Sequence, residues 1–225
     1  MTALLDQILE GVLAVGALLV CVIPHEVAHG YVAWKLGDPT AKYAGRLTLN
    51  PLKHLDPVGS FLVPLTMLVL RRLVGFPVVF GWAKPVPINP YYFRDTWGGM
   101  LKVALAGPGT NFAMALAAAG VGQGFLALGG SNSWVLAFLG LVVILSLVLG
   151  FFNLLPVPPL DGSRILGYFL PVRWRLRLLS LEQVGIFIVV ALLLLGAFRL
   201  VFQGAEAVAL KLMGWRWALL SGLWG

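Results

Sequence analysis

Charge is scarce in this chain of 225 residues: 11% are Asp, Glu, Lys or Arg, against 60% hydrophobic, and mean hydropathy is +0.92. An ordinary soluble domain carries about 25% charged and about 45–50% apolar residues. So little charge cannot cover a water-facing surface. This excludes a cytosolic globule and a disordered chain, and it points to a polytopic membrane protein. Cysteine is nearly absent. The single residue, Cys21, excludes an internal disulfide framework and a cysteine-rich zinc site. No Lys or Arg precedes Lys35, so the positive start of a cleavable signal peptide is missing and none is expected. Acidic residues are outnumbered, and net charge is +7. In a soluble protein that excess suggests nucleic acid. Here Lys and Arg gathered in cytoplasmic loops account for it, and no nucleic-acid partner is expected.

What is abundant is apolar sequence in long runs. They cover residues 8–36, 58–70, 100–128, 134–155 and 184–200, followed by an apolar tail, 205–225. A full crossing needs about 20 residues. The first, third, fourth and fifth runs qualify, the second is short, and the tail either spans or lies at the interface. Lys35, Lys42, Arg46 and Lys53 follow the first run, and Arg164, Arg173, Arg175 and Arg177 follow the fourth. Both regions are expected to be cytoplasmic, the arginines as topogenic charge. Residues 56–99 then begin and end on one side, as a re-entrant loop or a pair of crossings, with re-entry preferred. Residues 78–90 carry three prolines. They read as extended strand or hairpin, which a membrane tolerates only against protein or a wet cavity. The expected fold is an all-α polytopic membrane protein of about five to six transmembrane segments with a short membrane-embedded β hairpin or re-entrant region. It forms one domain over 1–225, with core motifs in about 20–170 and further C-terminal membrane segments in 171–225.

The strongest chemical signal is His25-Glu26-Val27-Ala28-His29, inside the first apolar run. On a helix, positions i and i+4 share a face, so both imidazoles reach one metal ion, and the intervening Glu26 stands beside them as a base. Ionisable groups inside a spanning segment are rare and mark function; the competing reading is a polar cluster that pairs helices. Zinc needs a third protein ligand and an open position. Cys21 is about 12 Å along the helix from His29 and cannot converge with both histidines, so it reads as a small buried hydrophobe. Asp56, followed by Pro57, reads as a helix start. Asp161 is the best candidate: Pro156, Pro158 and Pro159 break the fourth segment and Gly162 lets the chain turn. Its competing role is a helix N-cap for Ser163 onward. His54 reads as an interfacial side chain, and Trp215, Trp217 and Trp224 as interface anchors.

His-Glu-Val-Ala-His in an apolar segment is followed by Asn50-Pro51-Leu52, Ala106-Gly107-Pro108-Gly109-Thr110-Asn111, and Asn153 with Pro159-Leu160-Asp161-Gly162. In this order the motifs resemble the site-2 protease family of intramembrane zinc metalloproteases. The resemblance implies one zinc ion held by His25, His29 and Asp161, with Glu26 as general base. It makes Asn153 a substrate or oxyanion contact, places Asn111 near the site as a substrate-binding residue, and likens the stretch around Gly81, Trp82 and Pro87 to membrane-embedded strands that hold substrate as an added strand. Beside these roles, Asn111 reads equally as interhelical glue, and Asn153 as an amide satisfying carbonyls freed by broken backbone. The regulatory PDZ or CBS domains of many members are not seen, so a short form is expected. The implied activity is endopeptidase cleavage in or near transmembrane segments of membrane proteins. The enzyme would be a multi-pass protein of the cell membrane, its active site open to the cytoplasmic side. The rival functions are a membrane metal transporter and an inactive substrate-binding homologue. The intact Glu26 argues against the second, and the lack of further intramembrane ligands against the first.

Overall fold

The computed structural model describes residues 2–62, 66 and 83–221. Among them all regular structure is helical. The long elements are α1 (Thr2–Lys35), α2 (Thr96–Ala127), α3 (Ser133–Asn153), α4 (Asp161–Phe169), α5 (Val172–Ser180), α6 (Gly185–Leu194) and α7 (Arg199–Ser221). By length and composition, Ile8–Lys35, Thr96–Ala127 and Ser133–Asn153 can each cross a membrane, and the bent pair Val172–Gln183 with Gly185–Leu194 makes a possible fourth. These helices fall on the first, third and fourth apolar runs, as the sequence leads one to expect. The fifth run does not form one span. α6 ends at Leu194 and Gly196 turns the chain at φ +71; ten helical residues reach only about 15 Å, half of a bilayer core.

The chain divides into two compact units. The first comprises Met1–His25, Gly107–Leu155 and Phe198–Gly225. Its core is a set of helical stripes: Ala17 and Cys21 from α1, Ala115, Ala118 and Ala119 from α2, Leu136, Val143 and Leu147 from α3, and Ala205, Ala209, Met213 and Trp217 from α7. Ala205, Ala209 and Met213 recur every fourth residue, the spacing that keeps one face of a helix inward, up to a break at Gly214. Trp217 is fully buried and donates Nε1–H to the Leu136 carbonyl at 2.9 Å. The expectation of an interface anchor is therefore wrong for Trp217: its indole N–H finds a protein acceptor, so the ring has no need of the water boundary. Trp224 and the side chain of Trp215 lie outside the described residues. Gly122 makes the packing possible, because a Cβ there would collide with the Trp217 ring. α7 itself breaks at Gly214 (φ 73, ψ 161). Gln123 Nε2 donates to the carbonyls of Leu212 and Met213, at 3.0 and 2.5 Å, at that break. In an apolar medium such carbonyls must be satisfied internally.

The second unit comprises Glu26–Ala106 and Pro156–Ala197. Ala33, Phe93 and Val103 form its small core, with Val32, Leu36, Ile88 and Met100 packed around them. Arg175, expected to act only as topogenic charge, also holds backbone. It donates to the carbonyls of Gly167, Leu170 and Tyr168 at 2.6–3.1 Å and lies 4.1 Å over the Trp97 ring.

Of the expected hairpin, 78–90, residues 78–82 lie outside the described residues, and residues 83–89 form no strand. Pro85 and Pro87 remove alternate N–H donors, so that edge cannot sustain a ladder.

Candidate metal centre

The site is built on α1, whose apolar surroundings make any unpartnered polar group costly. His25 and His29 are both buried, 7% exposed each, on one face of the helix. His29 Nδ1 donates to the Val103 carbonyl of α2 at 2.7 Å. In the neutral ring this leaves the lone pair on Nε2, and Nε2 stands 3.3 Å from Asp161 Oδ2. Asp161 opens α4 right after the proline-rich break, where residues 154–160 form no regular helix. It is not a cap: the N-cap is Leu160 with no side-chain cap bond, and the Ser163 hydroxyl donates to the Leu160 carbonyl at 2.7 Å.

The facing nitrogen and carboxylate oxygen are two acceptors in neutral His29, and a cation between them, a proton or a metal ion, relieves their repulsion. The 3.3 Å separation matches the spacing of two ligands on a tetrahedral zinc with bonds of about 2.0–2.1 Å, which is about 3.4 Å. His25 precedes His29 by one turn of the same helix. The metal-binding atoms of His25, His29 and Asp161 all lie within 4.8 Å of one another. Two imidazoles and one carboxylate are the donor set of a catalytic zinc that keeps a position open. The residues present fit the metal.

Glu26 is half-buried, and its Oε2 accepts the Val86 backbone N–H at 3.1 Å. That N–H belongs to the irregular segment 83–89, which side chains and loop backbone hold in place. Lys84 N–H donates to the His54 carbonyl at 2.9 Å, and Asn89 N–H to Asp38 Oδ2 at 2.6 Å. The Arg46 guanidinium donates to the carbonyls of Lys53 and Lys84, and to that of Pro85 at 3.2 Å. Gly30 permits the close approach, since a Cβ there would meet Val86, Leu47 and Ala41 at 2.8–3.0 Å. Arg46 is 5% exposed, and Arg46→Met removes its hydrogen bonds to the three carbonyls, each worth about 1.5–3 kcal/mol for a charged donor. The expected result is a clear drop in the unfolding midpoint in detergent; an unchanged midpoint would show that the clamp holds nothing.

The other predicted residues are placed as follows. Asn111 is fully buried, with Nδ2 3.1 Å from His25 Nδ1. Asn153 closes α3 and donates Nδ2–H to the Leu149 carbonyl of its own helix at 3.0 Å. Pro87 is exposed, while Gly81 and Trp82 lie outside the described residues. Cys21 is buried against Ser146, whose hydroxyl donates to Sγ at 3.2 Å. Asp56 accepts N–H bonds from Val58 and Gly59 at 3.0 and 2.6 Å, the helix-starting role read from its Asp-Pro pair. His54 is not interfacial: it is 1% exposed and donates Nε2–H to the Thr48 carbonyl at 2.8 Å. Sequence reasoning missed Asp38, Arg46, the Val86 N–H and the Val103 carbonyl. The two charges gave a signal, standing in a 37–55 loop of a charge-poor chain; the backbone groups gave none.

Comparison with known proteins gives the family. The model of peptidase family M50 matches residues 129–196, a stretch that contains Asn153 and Asp161. YwhC of Bacillus subtilis, named as a candidate zinc metalloprotease, is 38% identical over 190 residues, covering 81% of each chain. This chain belongs to the M50, or site-2 protease, family. The similarly named Rip2 of Mycolicibacterium smegmatis is 33% identical over 192 residues, covering 84% of this chain and 69% of the relative. Rip2 of Mycobacterium tuberculosis (strain Erdman) is 28% identical over 205 residues, covering 91% and 70%. No solved structure gives a significant match. As an M50 member the chain is a zinc metalloprotease of a membrane, and the His25–His29–Asp161 group fits the metal its family uses.

Proposed function

We propose that this M50 protease hydrolyses peptide bonds in or near transmembrane segments of other membrane proteins, with one zinc ion held by His25, His29 and Asp161. The observation that carries the proposal is the position of two of these donors, His25 and His29, on a helix apolar enough to cross a bilayer, Ile8–Lys35. Held there, zinc would supply a Lewis acid to polarise a carbonyl and to make water acidic near neutral pH. Glu26 takes the proton of the attacking water and passes it to the leaving nitrogen. Asn153 turns its amide from Leu149 toward the developing oxyanion, a stabilisation that requires a donor aimed at that oxygen. The stretch around Gly81, Trp82 and Pro87 receives the unwound substrate as an extended chain.

In this reading the site lies close to the cytoplasmic face of the cell membrane. His25 is about 15 Å along the helix from Lys35, where the basic residues begin, so a short polar path suffices for water. α7 supplies a further crossing toward the five-to-six-span layout. The test is to incubate the purified protein in detergent with a single-span membrane protein and map the products by mass spectrometry. Cleavage within or beside the apolar span, abolished by chelation and restored by zinc, is expected. Cuts confined to soluble loops would contradict the substrate class.

A further inference from the structure

Asn111 carries an inference that rests on the zinc reading above and deepens it. The side chain is 0% exposed, so it presents no surface to a substrate. Its Nδ2 stands 3.1 Å from His25 Nδ1, and its Oδ1 is buried with no hydrogen-bond partner. The two ends of an amide have nearly the same shape, and the hydrogen-bond network decides which end faces which neighbour. With Nδ2 toward the ring, His25 Nδ1 must accept, and in the neutral ring the proton then sits on Nε2. With Oδ1 toward the ring, Nδ1–H donates and Nε2 carries the lone pair. Either orientation leaves one end of the amide without a partner, so that count does not choose between them. Metal binding does. Nδ1 is occupied by Asn111, so His25 can ligate only through Nε2, and only the second orientation leaves that nitrogen bare. His29 shows the same arrangement, its Nδ1–H held by the Val103 carbonyl at 2.7 Å. A metal-bound histidine ordinarily gives its other N–H to such an oxygen.

We propose that Asn111 is a positioning residue for the zinc site: its side-chain oxygen accepts the Nδ1–H of His25 and so fixes the tautomer and ring plane in which Nε2 faces the metal. It acts through His25 and not on the substrate. The role needs an acceptor and not an amide as such, which separates it from interhelical glue. Asn111→Asp keeps the acceptor and should bind zinc within about threefold of the parent. Asn111→Leu keeps the approximate size and loses the acceptor; its zinc affinity, measured by chelator competition in detergent, should fall about 10–100-fold. Its metal-free unfolding midpoint should stay near the parent's. Leu binding zinc as tightly as the parent, or Asp weakening it as much as Leu, overturns the proposal while leaving the zinc reading intact. A parent that binds no zinc overturns both. A second measurement needs no variant: nitrogen NMR of the zinc-loaded parent with labelled histidine should show both His25 and His29 protonated at Nδ1, and His25 protonated at Nε2 would refute the assignment.

Discussion

Glu26→Gln is expected to stop proteolysis while leaving zinc in place. Glutamine keeps the shape of the side chain, and its oxygen can still accept the Val86 N–H that the carboxylate accepts at 3.1 Å. What it loses is the ability to take a proton. General-base catalysis contributes typically about 10²–10⁴-fold, so the cleavage rate should fall by about that factor, with zinc per chain and unfolding midpoint unchanged. The same pair of proteins separates the rival functions. A transporter would move zinc into liposomes equally well from both. An inactive binding homologue would hold zinc and cut with neither. Cleavage by the Gln variant at the parental rate would remove Glu26 from the mechanism.

The second large effect concerns the third ligand. Asp161→Ala removes the carboxylate 3.3 Å from His29 Nε2 and should weaken zinc binding by more than about 100-fold, beyond the 10–100-fold expected from losing a partner of a ligand. Asp56→Ala is the matched control. Its carboxylate is spent on the N–H groups of Val58 and Gly59, so the change should cost about 0.5–2 kcal/mol of stability, as other lost caps do, and leave zinc bound. The reverse outcome, zinc lost with Asp56→Ala and kept with Asp161→Ala, would transfer the ligand to the wrong end of the chain for this account.

The parts of this protein that could be read in advance are those written in side-chain type and spacing. α1, α2 and α3 lie on long apolar runs because burial in lipid demands continuous hydropathy. His25 and His29 share a face because a helix repeats every 3.6 residues, and Asp161 emerges where three prolines forbid helix. The failures have one cause: hydropathy does not report how backbone groups are satisfied. Residues 184–198 are apolar throughout, yet Gly196 turns the chain and the helix ends at Leu194. Trp217 sits in a tail that resembles an interface anchor, but its indole N–H has the Leu136 carbonyl as partner. His54 follows a polar loop and is nonetheless buried, bonded to Thr48. The stretch 83–89 looks like a strand, and its N–H groups instead meet Glu26, Asp38 and the His54 carbonyl. Those partners are far off in sequence, and no local pattern pairs them.

The central claim is that two imidazoles of α1 and the α4 carboxylate hold one zinc ion. X-ray absorption at the zinc edge, on the purified protein loaded to one equivalent, tests it most directly. The account predicts a shell of nitrogen and oxygen only, at about 2.0–2.2 Å, with the outer scattering of two imidazole rings. Sulfur at about 2.3 Å, which only Cys21 or a methionine could supply, or the signature of a single imidazole, would contradict it.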